Sequence, residues 1–177
     1  MPQGKETPTA TSATRIPGGP GWSLDTRTLL PVIDDLTEFR RAHADDPALS
    51  VLEELWSGRP ERAEPEALAL VRSARTVRHR ALLADVRRDL GRVSQAVEEY
   101  RDLLGEHEGT GREAVLWQHL GKAYFVGGAY GEAADAFEAA LRLRLASGAD
   151  PGLVTSSRQA LDRARSLAAR GFESIEP

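Results

Sequence analysis

The strongest constraint on the fold of this chain is a helical pattern that recurs after 37 residues. Each copy places a small residue at a fixed distance from a glycine, with an aromatic residue four positions later on the same helical face. The matched positions are Gly91 and Gly128, Ala96 and Ala133, and Tyr100 and Phe137. Units of this length cannot bury their apolar faces alone and must stack on their neighbours. The pattern therefore predicts an array of helix pairs.

The second copy carries a longer set of pattern residues. They read Trp117-x-x-Leu120-Gly121-x-x-Tyr124, followed by Ala133-x-x-x-Phe137-x-x-Ala140. At this spacing the segment resembles the tetratricopeptide repeat family. The clear match covers about residues 114–145. A degenerate match covers about residues 77–104, where Arg80 and Arg87 stand at the tryptophan and tyrosine positions. Both copies lack the proline that closes such repeats.

The resemblance implies an all-α fold. Antiparallel helix-turn-helix repeats would stack into a right-handed superhelix, and the first helix of each pair would line a concave groove that binds protein or peptide. Two repeats are fewer than the about three that independent stability needs. We therefore expect the last predicted helix, 150–171, to cap the C-terminal end of the array, and the helices at 29–44 and 47–57 to cover the other end.

Composition divides the chain into four segments. Residues 1–23 are rich in proline, glycine and threonine and poor in apolar surface, so they are predicted to be a disordered tail that Trp22 holds against the folded body. Residues 24–64 are predicted to be N-terminal helices of unknown type, 65–171 the repeat domain and 172–177 a second tail. The apolar periodicity predicts helices at 29–44, 47–57, 65–90, 93–104, 112–126, 131–145 and 150–171, with a charged connector at 58–64.

Composition also excludes several classes of protein. The chain has no cysteine, which removes disulfide frameworks, thiolate metal sites and cysteine nucleophiles. Its apolar runs are far shorter than the about 20 residues that a membrane span needs, and no apolar signal segment follows Lys5. The net charge of -4 gives no general attraction to nucleic acid. We therefore expect a soluble, cytoplasmic protein without a membrane partner.

No pattern of catalysis or cofactor binding is found in the sequence. The four histidines (His43, His79, His107 and His119) lack the spacing of metal ligands. The glycine-containing loop at 109–112 follows a predicted helix and lacks the Gly-Lys-Ser/Thr ending of a phosphate loop. We expect no catalytic residue, no metal and no cofactor, and hence a protein that is not an enzyme.

The candidate binding residues are those that the resemblance places on the concave groove. They are Arg78, Asp85, Arg88, Asp89, Val115, Gln118, Lys122 and Phe125. The aromatic residues Trp117, Tyr124 and Phe137 are expected to form the core instead, because such repeats bury them. The residues that would clamp a terminal carboxylate in one subset of the family are largely absent here. Asp85 and Asp89 are expected to discriminate against purely acidic ligands.

These observations predict a scaffold or adaptor that binds a protein or peptide segment of unknown identity in the groove. One alternative is a self-associating regulatory module that forms homo-oligomers through its N-terminal helices. The other is a nucleic-acid accessory protein, which would use the seven arginines of the predicted Arg72–Arg92 helix to contact phosphates. No helix-turn-helix reader or aromatic stacking platform accompanies those arginines.

Overall fold

A computed structural model describes residues 15–173, and the side chains of residues 15–170. The described residues are predominantly helical, with one small antiparallel sheet. The strands are β1 (Arg15–Gly19), β2 (Trp22–Asp25) and β3 (Pro31–Ile33), and the helices are α1 (Leu36–Ala42), α2 (Leu49–Trp56), α3 (Pro60–Ser73), α4 (Val77–Asp89), α5 (Val93–Glu106), α6 (Glu113–Val126), α7 (Tyr130–Ala146) and α8 (Pro151–Glu173).

The sheet corrects the N-terminal prediction. Its strand order is β1-β2-β3, so residues 15–23 are not a disordered tail, and the helix expected from residue 29 begins only at Leu36. Residues 1–14 and 174–177 of the two predicted tails lie outside the described residues. Pro17 and Pro31 lie on the two edge strands, where a missing N–H is tolerated. Prolines that argue against a helix therefore do not argue against this sheet.

The sheet is attached to the helices by aromatic contacts. The ring of Trp22 lies 4.9 Å from that of Trp56 in α2, measured between centroids. Trp56 in turn lies 5.5 Å from Phe39 in α1, which is fully buried. Trp22 therefore makes the contact with the folded body that was expected of it, but as part of a strand.

Three helix pairs are joined by turns with the same hydrogen bonds, and the turn at Gly148 between α7 and α8 repeats them. The glycines at these turns have φ angles of 74°, 78° and 77° at Gly58, Gly91 and Gly128, a region that only glycine adopts without cost. In each turn the N–H after the glycine donates to the carbonyl five residues earlier, at 2.9, 2.8 and 3.0 Å, as in a Schellman motif. The pair formed by α2 and α3 is a third unit, which the 37-residue pattern did not reveal.

The third unit also corrects two predicted boundaries. The helix expected at 65–90 is two helices, because the chain is extended at Ala74 and Thr76 caps α4 by accepting a hydrogen bond from the N–H of His79. The charged connector expected at 58–64 is mostly the first turns of α3, with Pro60 at its start. A proline in the first turn costs no helical hydrogen bond.

The helices from α2 to α8 pack each against the next, and α4 also contacts α6 directly. Close approach within the α6–α7 pair depends on Gly121, since a Cβ there would lie 2.6 Å from the buried ring of Phe137. At the C-terminal end, α8 contributes Ala160, Leu161 and Ala164 to the core around that ring. At the other end, α2 and α3 pack against the apolar side of α4.

In the part of the chain that the structure describes, every helix is too short or too polar to pass through a lipid bilayer.

Candidate binding cleft

An open cleft lies between the N-terminal halves of α4 and α6, beside the C-terminal end of α5. Its cavity measures about 690 Å³, within the range of ligand pockets. The apolar part of the lining is formed by Val77, Ala81, Leu82, Val115 and Leu116. Val115 is 43% exposed, so the cleft presents apolar surface to solvent.

Three of the predicted groove residues line this cleft. They are Arg78 and Asp85 of α4 and Val115 of α6. His119 lies four positions after Val115 and lines the same cleft. Periodicity alone could have added His119 to the predicted set, because residues four apart share a helical face. The flanking arginines Arg75 and Arg112 were missed because they lie just before the two helices rather than on them.

The prediction is wrong for Phe125, which is only 7% exposed and belongs to the core. Leu29, from the loop between β2 and β3, is buried in the same cluster together with Ala160 and Ala164 of α8. Leu29 has a φ of 61°, and its N–H donates to the carbonyl of Asp25 at 2.8 Å. Phe125 is thus part of an apolar cluster to which the chain's own N-terminal segment and α8 contribute.

Gln118 is also buried rather than exposed in a groove. Its side-chain oxygen accepts a hydrogen bond from the hydroxyl of Ser157 at 2.6 Å. Ser157 in turn accepts one from the Arg144 guanidinium at 2.7 Å, and Arg144 also donates to the Leu153 carbonyl at 2.8 Å. Gln118 therefore joins α6, α7 and α8 by polar contacts, and it is not available to a partner.

A buried network of charged side chains borders the cleft. Arg88 is 2% exposed and pairs with Asp85 at 2.5 Å and Asp89 at 2.7 Å. Asp85 also accepts a hydrogen bond from the hydroxyl of Tyr100 at 2.8 Å and lies 3.1 Å from Nδ1 of His119. Arg88 and Asp89 are thus structural members of this network. Asp85 borders the cleft, but its charge is already matched.

The network shifts the pKa values of its members in directions that follow from burial and charge. Burial would raise the pKa of Asp85, but Arg88 and then His119 offset it and hold that pKa well below its usual range. Burial raises the pKa of Asp89 despite Arg88, and burial also raises the pKa of Tyr100. Asp85 is therefore the ionised centre of the network, and Tyr100 remains a neutral donor to it.

Lys122 is partly buried beside this network. Burial lowers its pKa to about 8, against the opposing effect of Asp85. Among the described residues it makes no hydrogen bond or ion pair, and Arg88 and Arg144 further disfavour its charge. Lys122 is thus a partly buried lysine without a hydrogen bond or ion pair among the described residues, and it is not the fully exposed groove lysine that was predicted.

We expect Lys122 to make stability rise with pH between about 8 and 10. Its folded pKa of about 8 lies below the 10.5 of an unperturbed lysine, so in this window the unfolded chain holds a proton that the folded chain has released. The free energy of unfolding should increase by at most about 1.4 kcal/mol per pH unit. Urea denaturation of the wild type and of Lys122→Met at several pH values in this window measures the free energy of unfolding. In the variant this free energy should no longer increase with pH. An increase as large as that of the wild type would show that Lys122 is not its cause.

The arginines of the predicted Arg72–Arg92 helix are mostly engaged with carboxylates. Five of the seven form ion pairs, which join Arg78 to Asp46, Arg80 to Glu99 and Glu106, Arg87 to Glu99, Arg88 to Asp85 and Asp89, and Arg92 to Glu64. Of these seven arginines, Arg72 and Arg75 form no ion pair with a described residue. This distribution leaves little of the positive surface on which the nucleic-acid alternative depends.

In the part of the chain that the structure describes, no three or more histidine, aspartate or glutamate side chains lie together so that they could hold a metal ion. The loop at 109–112 connects α5 to α6, and the N–H of Gly109 donates to the Glu113 carboxylate at 2.7 Å. The backbone of this loop is therefore bound by the first residue of α6.

No protein-family model, curated protein or solved structure matches this chain. The described residues form a helical array with a small N-terminal sheet and an open cleft between α4 and α6.

Proposed function

We propose that this protein is a non-enzymatic interaction module of the tetratricopeptide type, and that it binds a peptide or protein segment in the cleft between α4 and α6. The observation that carries the proposal is the cleft itself, with its cavity of about 690 Å³ and apolar lining. Exposed apolar surface in a concave site is typical of interaction surfaces. The signature at 117–140 and the three glycine turns support the same class.

The proposal places binding at the open end of the groove only. Val115 is exposed there, whereas Phe125, towards the C-terminal end of α6, is buried in one apolar cluster with Leu29 and residues of α8. A segment that binds would therefore contact the first turns of α6 and the start of α4. This is a narrower surface than the groove predicted from sequence.

The proposal is tested by selecting random linear peptides for binding to the full-length protein. Two exposed valines on α6 provide a matched pair, since Val115 in the cleft is 43% exposed and Val126 at the far end is 40% exposed. Peptides that are enriched should bind Val115→Gln at least about tenfold more weakly than wild type, a loss of about 1.4 kcal/mol. They should bind Val126→Gln as they bind wild type.

Two results would contradict this function. Enrichment of no peptide would argue against a peptide-binding module. Equal affinity of the enriched peptides for both valine variants would place their binding outside the cleft.

A further inference from the structure

The charges around the cleft are not balanced. Four arginines line it, together with two acidic residues, Asp85 and Glu106. Asp85 is matched by Arg88, and Glu106 is matched by Arg80, whose guanidinium lies 2.6 Å from it. Both acids are therefore neutralised by arginines of the protein itself. This corrects the expectation that Asp85 repels acidic ligands.

Two of the lining arginines have no such match. Arg78 pairs with Asp46 at 2.5 Å and Arg80 pairs with its two glutamates. Arg75 and Arg112 are exposed, and neither forms an ion pair with any described residue. Arg75 acts on Glu106 only as a more distant charge. The unmatched charge of the lining is thus positive.

The two unmatched arginines belong to the two sides of the cleft. Arg75 lies in the connection that leads into α4, and Arg112 immediately precedes α6. Between them lies apolar surface that includes Ala81 and Val115. An arginine guanidinium binds a carboxylate by two parallel hydrogen bonds. The lining thus offers an apolar contact flanked by two separate sites for carboxylates.

We infer that the cleft binds an acidic segment of a partner protein, in which an apolar side chain lies on the apolar lining and flanking aspartate or glutamate side chains pair with Arg75 and Arg112. This inference rests on the proposed function and specifies its ligand. The carboxylates come from side chains along the segment, since the two arginines stand on different elements. A free chain terminus is not required. Complementary charge of this kind mainly sets specificity and the rate of association.

The test uses the full-length protein and random linear peptides with amidated C-termini. Only peptides that bind the wild type more tightly than the Val115→Gln variant are analysed further. We expect the enriched peptides to be net acidic and to contain an apolar residue. Each of Arg75→Gln and Arg112→Gln should weaken their binding by about three- to tenfold, as should a rise in salt. Arg72→Gln is the matched control, because Arg72 is exposed, lacks an ion pair among the described residues and does not line the cleft.

The outcomes separate this inference from the proposed function. Cleft-dependent peptides that are neutral or basic, or that bind both arginine variants like wild type, would overturn the acidic ligand while leaving a peptide-binding cleft. Absence of any cleft-dependent peptide would overturn both. A single-stranded oligonucleotide that binds the wild type and is lost in Arg75→Gln and Arg112→Gln would assign the two arginines to phosphate and also overturn the inference.

Discussion

Replacing Arg88 with methionine is expected to lower the free energy of unfolding by about 3–5 kcal/mol. Methionine has a similar length but no charge, so the buried Asp85 and the partly buried Asp89 would lose the guanidinium that pairs with them. Leaving a buried carboxylate uncompensated costs far more than the net value of the pair. Urea denaturation at neutral pH measures the loss. Arg87→Met is the control, since Arg87 is adjacent and partly exposed and lies 4.0 Å from its nearest acidic oxygen.

The loss in Arg88→Met should depend on pH in a defined direction. In the wild type Asp85 has a depressed pKa, so it contributes stability that is lost as pH falls through the carboxyl range. Without Arg88, burial would favour the protonated acid instead, and acidification would relieve the penalty. The difference between wild type and variant should therefore shrink towards acid pH. Equal stability of Arg87→Met and Arg88→Met at neutral pH would show that the network is not energetically important.

Gly121→Ala is expected to destabilise the protein by about 1–3 kcal/mol, although alanine favours helices over glycine by about 1 kcal/mol. The added Cβ would lie 2.6 Å from the Phe137 ring, which is fully buried and cannot move aside without disturbing the core. Thermal denaturation measures the effect as a lower melting temperature. The α6–α7 pair would have to separate to admit the methyl group.

Gly105→Ala is the matched control for this prediction. Gly105 also lies within a helix, α5, but a Cβ there would meet no atom within 4 Å. The same substitution should therefore stabilise the protein by up to about 1 kcal/mol through helix propensity alone. Opposite signs at the two glycines are the expected result. A stabilised Gly121→Ala would mean that α6 and α7 do not approach each other as closely as described.

The arrangement of the N-terminal segment bears on how the array could function. Leu29 is buried in the same apolar cluster as Phe125, a residue of α6 that the resemblance assigned to ligand binding. The same segment continues into β3, which lies beside the end of α2. The protein therefore fills one half of its groove with its own chain and leaves the other half open at Val115. A ligand meets a short cleft rather than an extended groove.

Much of the helical part could be predicted from the sequence, for local reasons. Helices α5, α6 and α7 begin and end within about two residues of the predicted limits, because apolar periodicity and glycine turns are properties of neighbouring residues. The contact between Gly121 and Phe137 follows from the same repeat. The pair α2–α3 was missed although its glycine, Gly58, recurs 33 residues before Gly91, since no aromatic residue accompanies it.

The sequence by itself thus determined helices α5, α6 and α7, the turns at Gly91 and Gly128 and the small and aromatic positions at which these helices meet. Only the tertiary structure decided which helix faces remain open. Phe125 is buried in one cluster with Leu29, and Gln118 is hydrogen-bonded to Ser157, although these partners lie far away in the chain. Arg88 is buried as well. Periodicity states which residues share a face, but it carries no information about what packs on that face. For this reason three groove residues were placed in the cleft and five were not.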